Sequence, residues 1–498
     1  MAPQTLTENP FTLGVASGDP LPGSVVLWTR LAPRPYEVGG GLPPTGSVSV
    51  GWEVAADDAF GSPVQSGTVA APAADNYTVH LDVRGLEPAH DYYYRFRVDQ
   101  WTSRVGRTRT APAAGASVAS VGGLRLGLVS CQQYDEGYYT ALAHLAEEDL
   151  DAVLFVGDYI YENAINAKAG ARNYTDPPLP AIFNHWTVTL DDYRLRYALG
   201  KSDADLQAAH AAHPWIVTWD DHEVENNYAG DISQHNDPIE QFRKRRAAAY
   251  RAFWENMPLR EAQRPKGPDA ILYRRLQYGA LAQFDVLDTR QYRSDQAYGD
   301  GWQYPGPESE NRARTLTGAA QERWLLDGFR SSTATWNVIP QQVAFCRRKN
   351  TTADRSRLSM DAWDGYPASR ARVLAGIEQA GIGNLVVLSG DVHVNYAMDI
   401  KKDFNKPASQ TLGVEFVGTS ISSGFDGADK PGDWSTMLAA NPHMKFYNGR
   451  RGYVLLSLDA ERVRADFRTV TGVRTPGAPI STAASFVSEA GDPGLKPA

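Results

Sequence analysis

Residues of metal-binding types follow four apolar segments of the sequence, each at the point where the segment ends. These are 126–130 followed by Cys131, 153–157 followed by Asp158 and then Tyr161, 216–219 followed by Asp220-Asp221-His222-Glu223, and 385–390 followed by Asp391-Val392-His393. Thiolate, phenolate and carboxylate groups are anionic donors that suit trivalent iron, whereas an oxygen-rich second site suits calcium, magnesium or manganese. The sequence therefore predicts a metal site built from the ends of four strands.

Each of these motifs has an ordinary structural explanation when it is considered alone. An isolated cysteine is commonly a small buried hydrophobic residue, and Gly157-Asp158 is typical of a turn with a side-chain cap. The run 220–223 is also compatible with a solvated turn, and the run 390–393 is compatible with either a turn or a site. Their conjunction favours the metal site, because four independent turns would not all carry ligand types at one sheet edge.

A layered α/β sheet is needed to bring these residues together. Apolar strands are expected at 124–130, 152–156, 215–219, 284–287, 336–339, 385–388, 414–417 and 453–458, with helices at 138–150, 238–256 and 317–329. In open α/β sheets, ligands collect outside the carboxyl ends of the strands. The pattern predicts an α/β catalytic domain over residues 116–470.

The flanking segments differ from this pattern. Short β-favouring runs separated by Gly/Pro/Asp clusters about every 8 to 12 residues predict an Ig/fibronectin-like β-sandwich over residues 1–115. It ends in a small-residue linker at 111–117. The segment 471–498 is rich in Pro, Gly, Ala and Ser, which predicts a loose cap or a disordered tail.

Composition excludes several classes of protein. The chain has 498 residues, 42% hydrophobic and 21% charged, which is typical of a globular protein with two domains or one large domain and an appendage. No window approaches the ~18 uncharged apolar residues that a membrane-spanning helix needs. The net charge of -9, without a basic stripe, argues against nucleic acid as a partner.

Two features bear on the cellular compartment. Cys131 and Cys346 are too few for a disulfide scaffold. The first ten residues, MAPQTLTENP, contain neither the basic nor the apolar region of a leader peptide. This start is compatible with a cytoplasmic protein or with the mature form of a secreted one.

Longer phrases of the sequence resemble the PhoD family of alkaline phosphatases. The phrases lie in order between about residues 11 and 470, at 11–20, 26–30, 157–162, 219–223, 287–293, 363–367 and 389–393. That family belongs with the metallophosphoesterases and includes secreted phospholipase D-type phosphodiesterases. The resemblance implies a secreted, metal-dependent phosphoester hydrolase, with a metallophosphoesterase α/β sandwich after the N-terminal β-sandwich.

The resemblance also implies a ligand set. Cys131, Asp158 and Tyr161 would bind Fe³⁺, with Asp158 bridging to Ca²⁺. Asp221 and Asn226 would lie on the calcium side, which would hold one or two Ca²⁺, with Mg²⁺ or Mn²⁺ as alternatives. Further metal ligands would be Asp391, at a position where related enzymes have His, and His393, with the ion that each binds left open. With Cys131 bound to iron, Cys346 is expected to be a buried free thiol.

Two further residues are expected to act on the substrate. His222 would donate to a phosphoryl oxygen or to the leaving group. Arg290 would bind the phosphate through its planar guanidinium, or would instead form a structural ion pair with Asp288 or Asp295. Bound metal ions would neutralise the phosphate and activate the attacking water, so no serine nucleophile is needed.

The substrate is left open between a phosphomonoester and a diester, such as a (lyso)phospholipid or a glycerophosphodiester. The insertion at 163–214 carries aromatic and imidazole side chains that are expected either to line a substrate pocket or to be a structural plug: Tyr174, Phe183, His185 and Trp186. A third alternative is a non-enzymatic extracellular binding protein with a structural metal, whose site would be closed by protein ligands.

Overall fold

The computed structural model describes residues 6–165, 172 and 179–498 of the chain. In the N-terminal part, short strands are joined by turns. They are β1 (Val15–Leu21), β2 (Ser24–Arg30), β3 (Ser47–Ala55), β4 (Gln65–Pro72), β5 (Thr78–Arg84), β6 (Asp91–Val98), β7 (Trp101–Thr102) and β8 (Gly106–Arg109).

Strands and helices alternate through most of the remaining chain. The helices are α1 (Val118–Val121), α2 (Thr140–Ala146), α3 (Leu190–Lys201), α4 (Ala204–Ala212), α5 (Ile239–Asn256), α6 (Gly318–Ser331), α7 (Pro367–Gln379) and α8 (Trp434–Ala440). The strands are β9 (Leu124–Val129), β10 (Ala152–Phe155), β11 (Pro214–Val217), β12 (Arg274–Tyr278), β13 (Ala282–Val286), β14 (Trp302–Gln303), β15 (Trp336–Pro340), β16 (Leu358–Ser359), β17 (Leu385–Ser389), β18 (Asn395–Lys401), β19 (Thr411–Val417), β20 (Met444–Asn448), β21 (Gly452–Leu458), β22 (Arg462–Val470), β23 (Ile480–Glu489) and β24 (Asp492–Pro497). None of the helices in the described part of the chain is both long and apolar enough to cross a membrane.

Two large mixed sheets face each other. The first has ten strands in the order β24-β23-β22-β21-β9-β10-β11-β1-β2-β5, and the second has seven in the order β12-β13-β15-β17-β19-β18-β20. Strands β9, β10 and β11 are parallel neighbours, as are β13, β15, β17 and β19. Their carboxyl ends therefore meet at one edge of the double layer, as the sequence predicts.

Apolar side chains fill the space between the sheets. Leu126 and Leu154 of the first sheet belong to one buried cluster with Val338 and Val386 of the second. These strands are covered on both faces, because helices pack outside them: α2, α3 and α5 against the first sheet, and α6 and α7 against the second. Double coverage explains why the strands are continuous apolar runs in the sequence.

The N-terminal β-sandwich shares a sheet with the catalytic part. Strand β1 pairs in parallel with β11, with Ser17 opposite Pro214 and Gly18 opposite Trp215. One layer of the sandwich, β1, β2 and β5, is thus an extension of the ten-stranded sheet, while β3, β4, β6 and β7 form the opposing layer. The division of the chain at residue 115 stays a prediction about domains, since hydrogen bonds cross it.

The C-terminal segment differs from the expectation of a loose cap or a disordered tail. Residues 480–489 and 492–497 form β23 and β24, which complete one end of the ten-stranded sheet. Phe486 is buried and contacts the ring of Phe467. The Pro/Gly/Ala-rich composition of the segment concealed a β-favouring stretch that pairs with β22.

Cys346 is a buried free thiol, as predicted. Its Sγ lies 3.7 Å from the carbonyl oxygen of Asp399.

Candidate metal centre

Four of the predicted ligands lie in the loops that follow β9, β10 and β17, and they have left-handed backbone conformations. The φ angles are 59° at Cys131, 60° at Asp158, 67° at Asp391 and 57° at His393. This conformation is uncommon for residues other than glycine and costs free energy, so the surrounding structure must impose it. The sharp turns aim these side chains at one place between the two sheets, and the accumulation of strain there is typical of a functional site.

Two glycines allow the turns to approach one another. A Cβ on Gly157, whose φ is 111°, would lie 2.3 Å from the Cβ of Asp220, and a Cβ on Gly390 would lie 2.6 Å from Oγ of Ser130. Both distances are shorter than side chains permit. The glycine that precedes each aspartate in Gly157-Asp158 and Gly390-Asp391 is therefore needed to bring the strand ends together.

The predicted iron ligands converge. Ligand atoms of Cys131, Asp158 and His393 lie within 4.8 Å of one another. The hydroxyl of Tyr161 donates to Oδ2 of Asp158 at 3.0 Å and lies 3.1 Å from Nε2 of His393. Burial lowers the pKa of His393 to about 3, so that its imidazole is neutral, the form that binds metal ions. Sulfur, oxygen and nitrogen donors thus surround one point.

A carboxylate-rich group adjoins this point. Ligand atoms of Asp158, Asp221 and His222 lie within 4.8 Å of one another, and so do those of Asp220, Asp221 and Asp391. Asp158 also belongs to the group with Cys131 and His393, and Asp221 belongs to both carboxylate-rich groups. The three groups are therefore continuous. Sequence reasoning placed Asp220 in the right motif but did not name it as a ligand.

Metal ions fit the charge of this arrangement. In the described part of the chain, Oδ2 of Asp220 and Oδ1 of Asp221 have no hydrogen-bond partner although both are buried. Burial raises the pKa of Asp158 well above its usual range and that of Asp391 to about 7, and neighbouring carboxylates add to both shifts. Buried carboxylates that disfavour one another's ionisation need a cation, and multivalent ions provide that charge.

Arg290 is fully buried among carboxylates. Its Nε donates to Asp220, its Nη1 to both oxygens of Asp361 at 2.9 Å, and its Nη2 to Asp391 at 3.0 Å. Oδ1 of Asp221 lies 3.5 Å from Nη2. These contacts favour the structural alternative, although with partners that the sequence analysis did not name. Phosphate binding by Arg290 stays a prediction.

Neither expected partner, Asp288 or Asp295, pairs with the guanidinium of Arg290 among the described residues. Oδ1 of Asp295 instead accepts the backbone N–H of Gln296 at 2.9 Å. Asp288 accepts the backbone N–H of Arg290 at 3.0 Å instead of its guanidinium. The sequence analysis did not name Asp361, which the guanidinium does contact. Its only signal in the sequence is its position just before the phrase 363–367, which carries part of the family resemblance.

His222 has a fixed orientation. Its Nδ1 lies 2.7 Å from Oε2 of Glu162, which is fully buried and whose Oε1 accepts the N–H of Asn226 at 2.9 Å. Burial disfavours the charge on His222, but Glu162, Asp221 and Asp158 raise its pKa well above the usual value. These carboxylates favour the protonated ring, and the contact of Nδ1 with Glu162 leaves Nε2 as the ring nitrogen that can meet a substrate. Glu162 belongs to the phrase 157–162 that carries the family resemblance, but the sequence analysis assigned it no role.

Glu223 fastens the loops after β10 and β11 to each other. Its Oε2 accepts the backbone N–H groups of Asp158 at 3.1 Å and Asp220 at 2.8 Å, and its Oε1 accepts that of Tyr159 at 2.5 Å. Asn226, the other predicted calcium ligand, donates its side-chain N–H to Gln234 at 2.8 Å. Its calcium binding stays a prediction.

The aromatic insertion divides into a buried and an exposed part. Phe183 is buried in a cluster with Leu195, and His185 lies 3.0 Å from Asp192. Trp186 is exposed and contacts the ring of His235 edge-on. Tyr174 lies outside the described residues.

Comparisons with known proteins agree with this geometry. A family model described as PhoD-like phosphatase matches residues 126–467, and one described as PhoD-like phosphatase, N-terminal domain, matches residues 1–112. The chain is 50% identical over 499 residues to alkaline phosphatase D of Bacillus subtilis (strain 168), covering 99% of this chain and 83% of that protein. A solved structure of PhoD superposes with a TM-score of 0.95 at 50% identity, covering 99% of this chain and 93% of that one.

Proposed function

Because the chain belongs to the PhoD-like phosphatase family and is a metal-dependent phosphoester hydrolase, we propose that the centre around Asp158 hydrolyses phosphomonoesters with bound Fe³⁺ and Ca²⁺. The observation that carries this proposal is the position of Asp158, which belongs both to the group with Cys131 and His393 and to the group with Asp221 and His222. A carboxylate shared in this way suits two neighbouring ions. Membership of an enzyme family argues against the non-enzymatic alternative.

The donor types support a division of ligands between the ions. We assign Cys131, Asp158 and Tyr161 to Fe³⁺, and place His393 with them because it lies within the same ligand group. Asp220, Asp221, Asp391 and Asn226 are assigned to Ca²⁺, for which Mg²⁺ or Mn²⁺ are the alternatives. When bound, the ions neutralise the phosphate charge and activate the water that attacks phosphorus.

The surrounding side chains position the reacting groups and transfer a proton. Glu162 holds Nδ1 of His222 at 2.7 Å, and Nε2 of the protonated ring donates a proton to the oxygen of the leaving group. Arg290 holds the carboxylates of Asp220, Asp361 and Asp391 in place. Glu223 keeps the two loops in register through their N–H groups.

Metal analysis of an Asp158→Asn variant tests the proposal. The variant keeps the size of the side chain but removes its charge, so we expect it to retain less iron and calcium and to lose kcat/KM by at least ~10³-fold. Asp149→Asn, at an exposed position far from the centre, is the matched control. If Asp158→Asn kept its metals and its turnover, the site would lie elsewhere.

The substrate class is tested by kcat/KM of the metal-loaded enzyme on a phosphomonoester, a simple diester and a lysophospholipid. We expect preference for the monoester, because Phe183 is buried as part of the core and not exposed as a pocket wall. Preference for a diester or a lipid would instead support a phospholipase D-type phosphodiesterase, and would direct attention to exposed Trp186.

The family resemblance also supports a location outside the cytoplasm, where phosphatases of this family typically act. Fractionation of cells that express the natural gene, with activity measured in the medium and in the cytoplasm, tests this. Activity confined to the cytoplasm would contradict it.

A further inference from the structure

Arg348 is a second buried arginine near the metal centre, and its partners differ from those of Arg290. It is 4% exposed and its side chain is hydrogen-bonded to Tyr396, yet its guanidinium forms no ion pair within the described part of the chain, and its Nε has no hydrogen-bond partner there. The Cζ atom lies 5.8 Å from the ring centre of Trp302 and 5.9 Å from that of Tyr396. A buried charge with an unused donor is costly unless a ligand takes it.

The rings of Trp302 and Tyr396 form the two walls of a slot that holds the guanidinium of Arg348. The wall formed by Trp302 is connected to the metal centre by hydrogen bonds. Trp302 lies two residues after Asp300, and Oδ2 of Asp300 accepts the side-chain N–H of Asn227 at 2.6 Å. The backbone N–H of Asn227 in turn donates to Oδ2 of Asp221 at 2.6 Å. Trp302 is itself 37% exposed, so the slot opens toward solvent on this side.

The other wall comes from the strand that follows the last metal motif. Tyr396 lies three residues after His393 and begins β18 with Asn395. Burial disfavours the charge on Arg348, but Tyr396, Asp364 and Asp391 raise its pKa, so the guanidinium is charged and lies within electrostatic range of a metal ligand. The backbone N–H of Arg348 donates to Asp364 at 2.8 Å, which fixes the start of the side chain.

We propose that Arg348 binds a non-bridging oxygen of the substrate's phosphoryl group, between the rings of Trp302 and Tyr396. This inference rests on the proposed phosphoester hydrolysis and adds a substrate-binding residue to it. A guanidinium matches the geometry of phosphate oxygens, and the one on Arg290 is already taken by carboxylates. Arg451, another buried arginine beside the centre, donates to the carbonyl oxygens of His393, Ser423 and Gly449 and to the hydroxyl of Ser420. Arg348 has no such set of partners among the described residues, which makes it the better candidate for a ligand.

Binding of inorganic phosphate to the metal-loaded enzyme provides the test. In Arg348→Gln we expect the competitive inhibition constant for phosphate to rise about 10- to 100-fold and kcat/KM for a phosphomonoester to fall at least as much, since a charge-assisted hydrogen bond is lost. Arg348→Lys should recover part of both, because it restores the charge but not the fork. Metal content should equal that of the wild type.

Arg355→Gln is the matched control, because Arg355 is exposed on the same loop, 4.2 Å from the ring centre of Tyr304. It should leave both constants within a factor of about two, as a screened surface charge does. The inference is overturned if Arg348→Gln binds phosphate like the wild type, or if it loses metal along with activity, which would indicate a structural role.

Failure of the proposed function would have a different signature. A wild-type enzyme that hydrolyses none of the phosphoesters would refute that function, while calorimetric titration of phosphate into wild type and Arg348→Gln would still report whether Arg348 binds phosphate. A difference in affinity supports the role of Arg348, and equal affinities refute it.

Discussion

Two buried clusters of charge differ in how they are balanced. At the metal centre, Arg290 contacts the carboxylates of Asp220, Asp361 and Asp391, and Arg293 pairs with Asp361 as well. Between α3 and α5 the ratio is reversed, because Glu255 accepts from Arg194 at 2.7 and 2.6 Å and from Arg251 at 2.9 Å. The first cluster has surplus negative charge, and the second does not.

The difference separates a binding site from a structural ion pair. Both oxygens of Glu255 have partners from the chain itself, so this cluster is complete without a ligand. At the metal centre, Oδ2 of Asp220 and Oδ1 of Asp221 lack hydrogen-bond partners among the described residues. Negative charge that the chain does not neutralise indicates where a cation binds, and this is more informative than burial or the number of ion pairs.

The largest effect on this contrast is expected from Arg290→Met. It removes the guanidinium that contacts buried Asp220 and Asp391, while Asp361 keeps Arg293, so we expect the free energy of unfolding to fall by about 3–5 kcal/mol and metal retention to decrease. Urea unfolding and metal analysis measure these effects. If the variant instead kept its metals and its stability and raised only KM, Arg290 would be a phosphate-binding residue.

Glu255→Gln tests the opposite cluster. It leaves two guanidinium groups without their carboxylate, one of them only half-buried, and we expect a loss of about 3 kcal/mol in unfolding free energy. Metal content and kcat should stay at wild-type values in protein that is folded at the assay temperature. Loss of metal from this variant would show that the clusters are coupled and that the comparison does not hold.

Removal of metal by a chelator should affect one cluster only. Ions at a free concentration of about 100 times their Kd contribute about 2.7 kcal/mol to the free energy of unfolding, and this contribution disappears on chelation. Hydrogen exchange should then rise at 158–162 and 220–227 and stay unchanged at 251–256. Equal changes in both regions would mean that metal binding stabilises the fold as a whole, without a local effect.

The smallest effect concerns a neutral buried group outside both clusters. His213 directly precedes β11, at the end of the strand away from the metal centre. Burial lowers its pKa from 6.5 to about 4, and its Nε2 lies 3.0 Å from the carbonyl oxygen of Leu145. Between these values the unfolded chain binds more protons than the native one, so stability falls as the pH decreases from about 6.5 toward 4. The loss between pH 7 and pH 5 should reach about 2 kcal/mol.

His213→Gln should reduce this dependence. Thermal unfolding of both proteins at pH 7 and pH 5 measures it, and an unchanged pH dependence in the variant would assign the acid sensitivity to the carboxylate clusters instead.

The metal centre was largely predictable from the sequence, because the residue patterns that indicate it are local. An apolar run followed at once by Cys131, Asp158 or Asp391 specifies both the strand and the residue at its carboxyl end. The resemblance to the PhoD family rests on the same short phrases and is confirmed over nearly the whole chain. Residue types and their order were therefore sufficient for the fold class and for most of the residues that converge there.

By itself, the sequence determined the apolar strands that lead to the metal centre, the ligand types that follow them and the enzyme family to which the chain belongs. Only the tertiary structure decided that Arg290 is held by Asp361, 71 residues away, and by Asp391, 101 residues away, and that Arg348 is not held in this way. It also decided that β1 joins β11 and that the C-terminal segment forms strands. The physical reason is that charge balance and sheet pairing depend on distances between remote segments, which no local pattern of residues encodes.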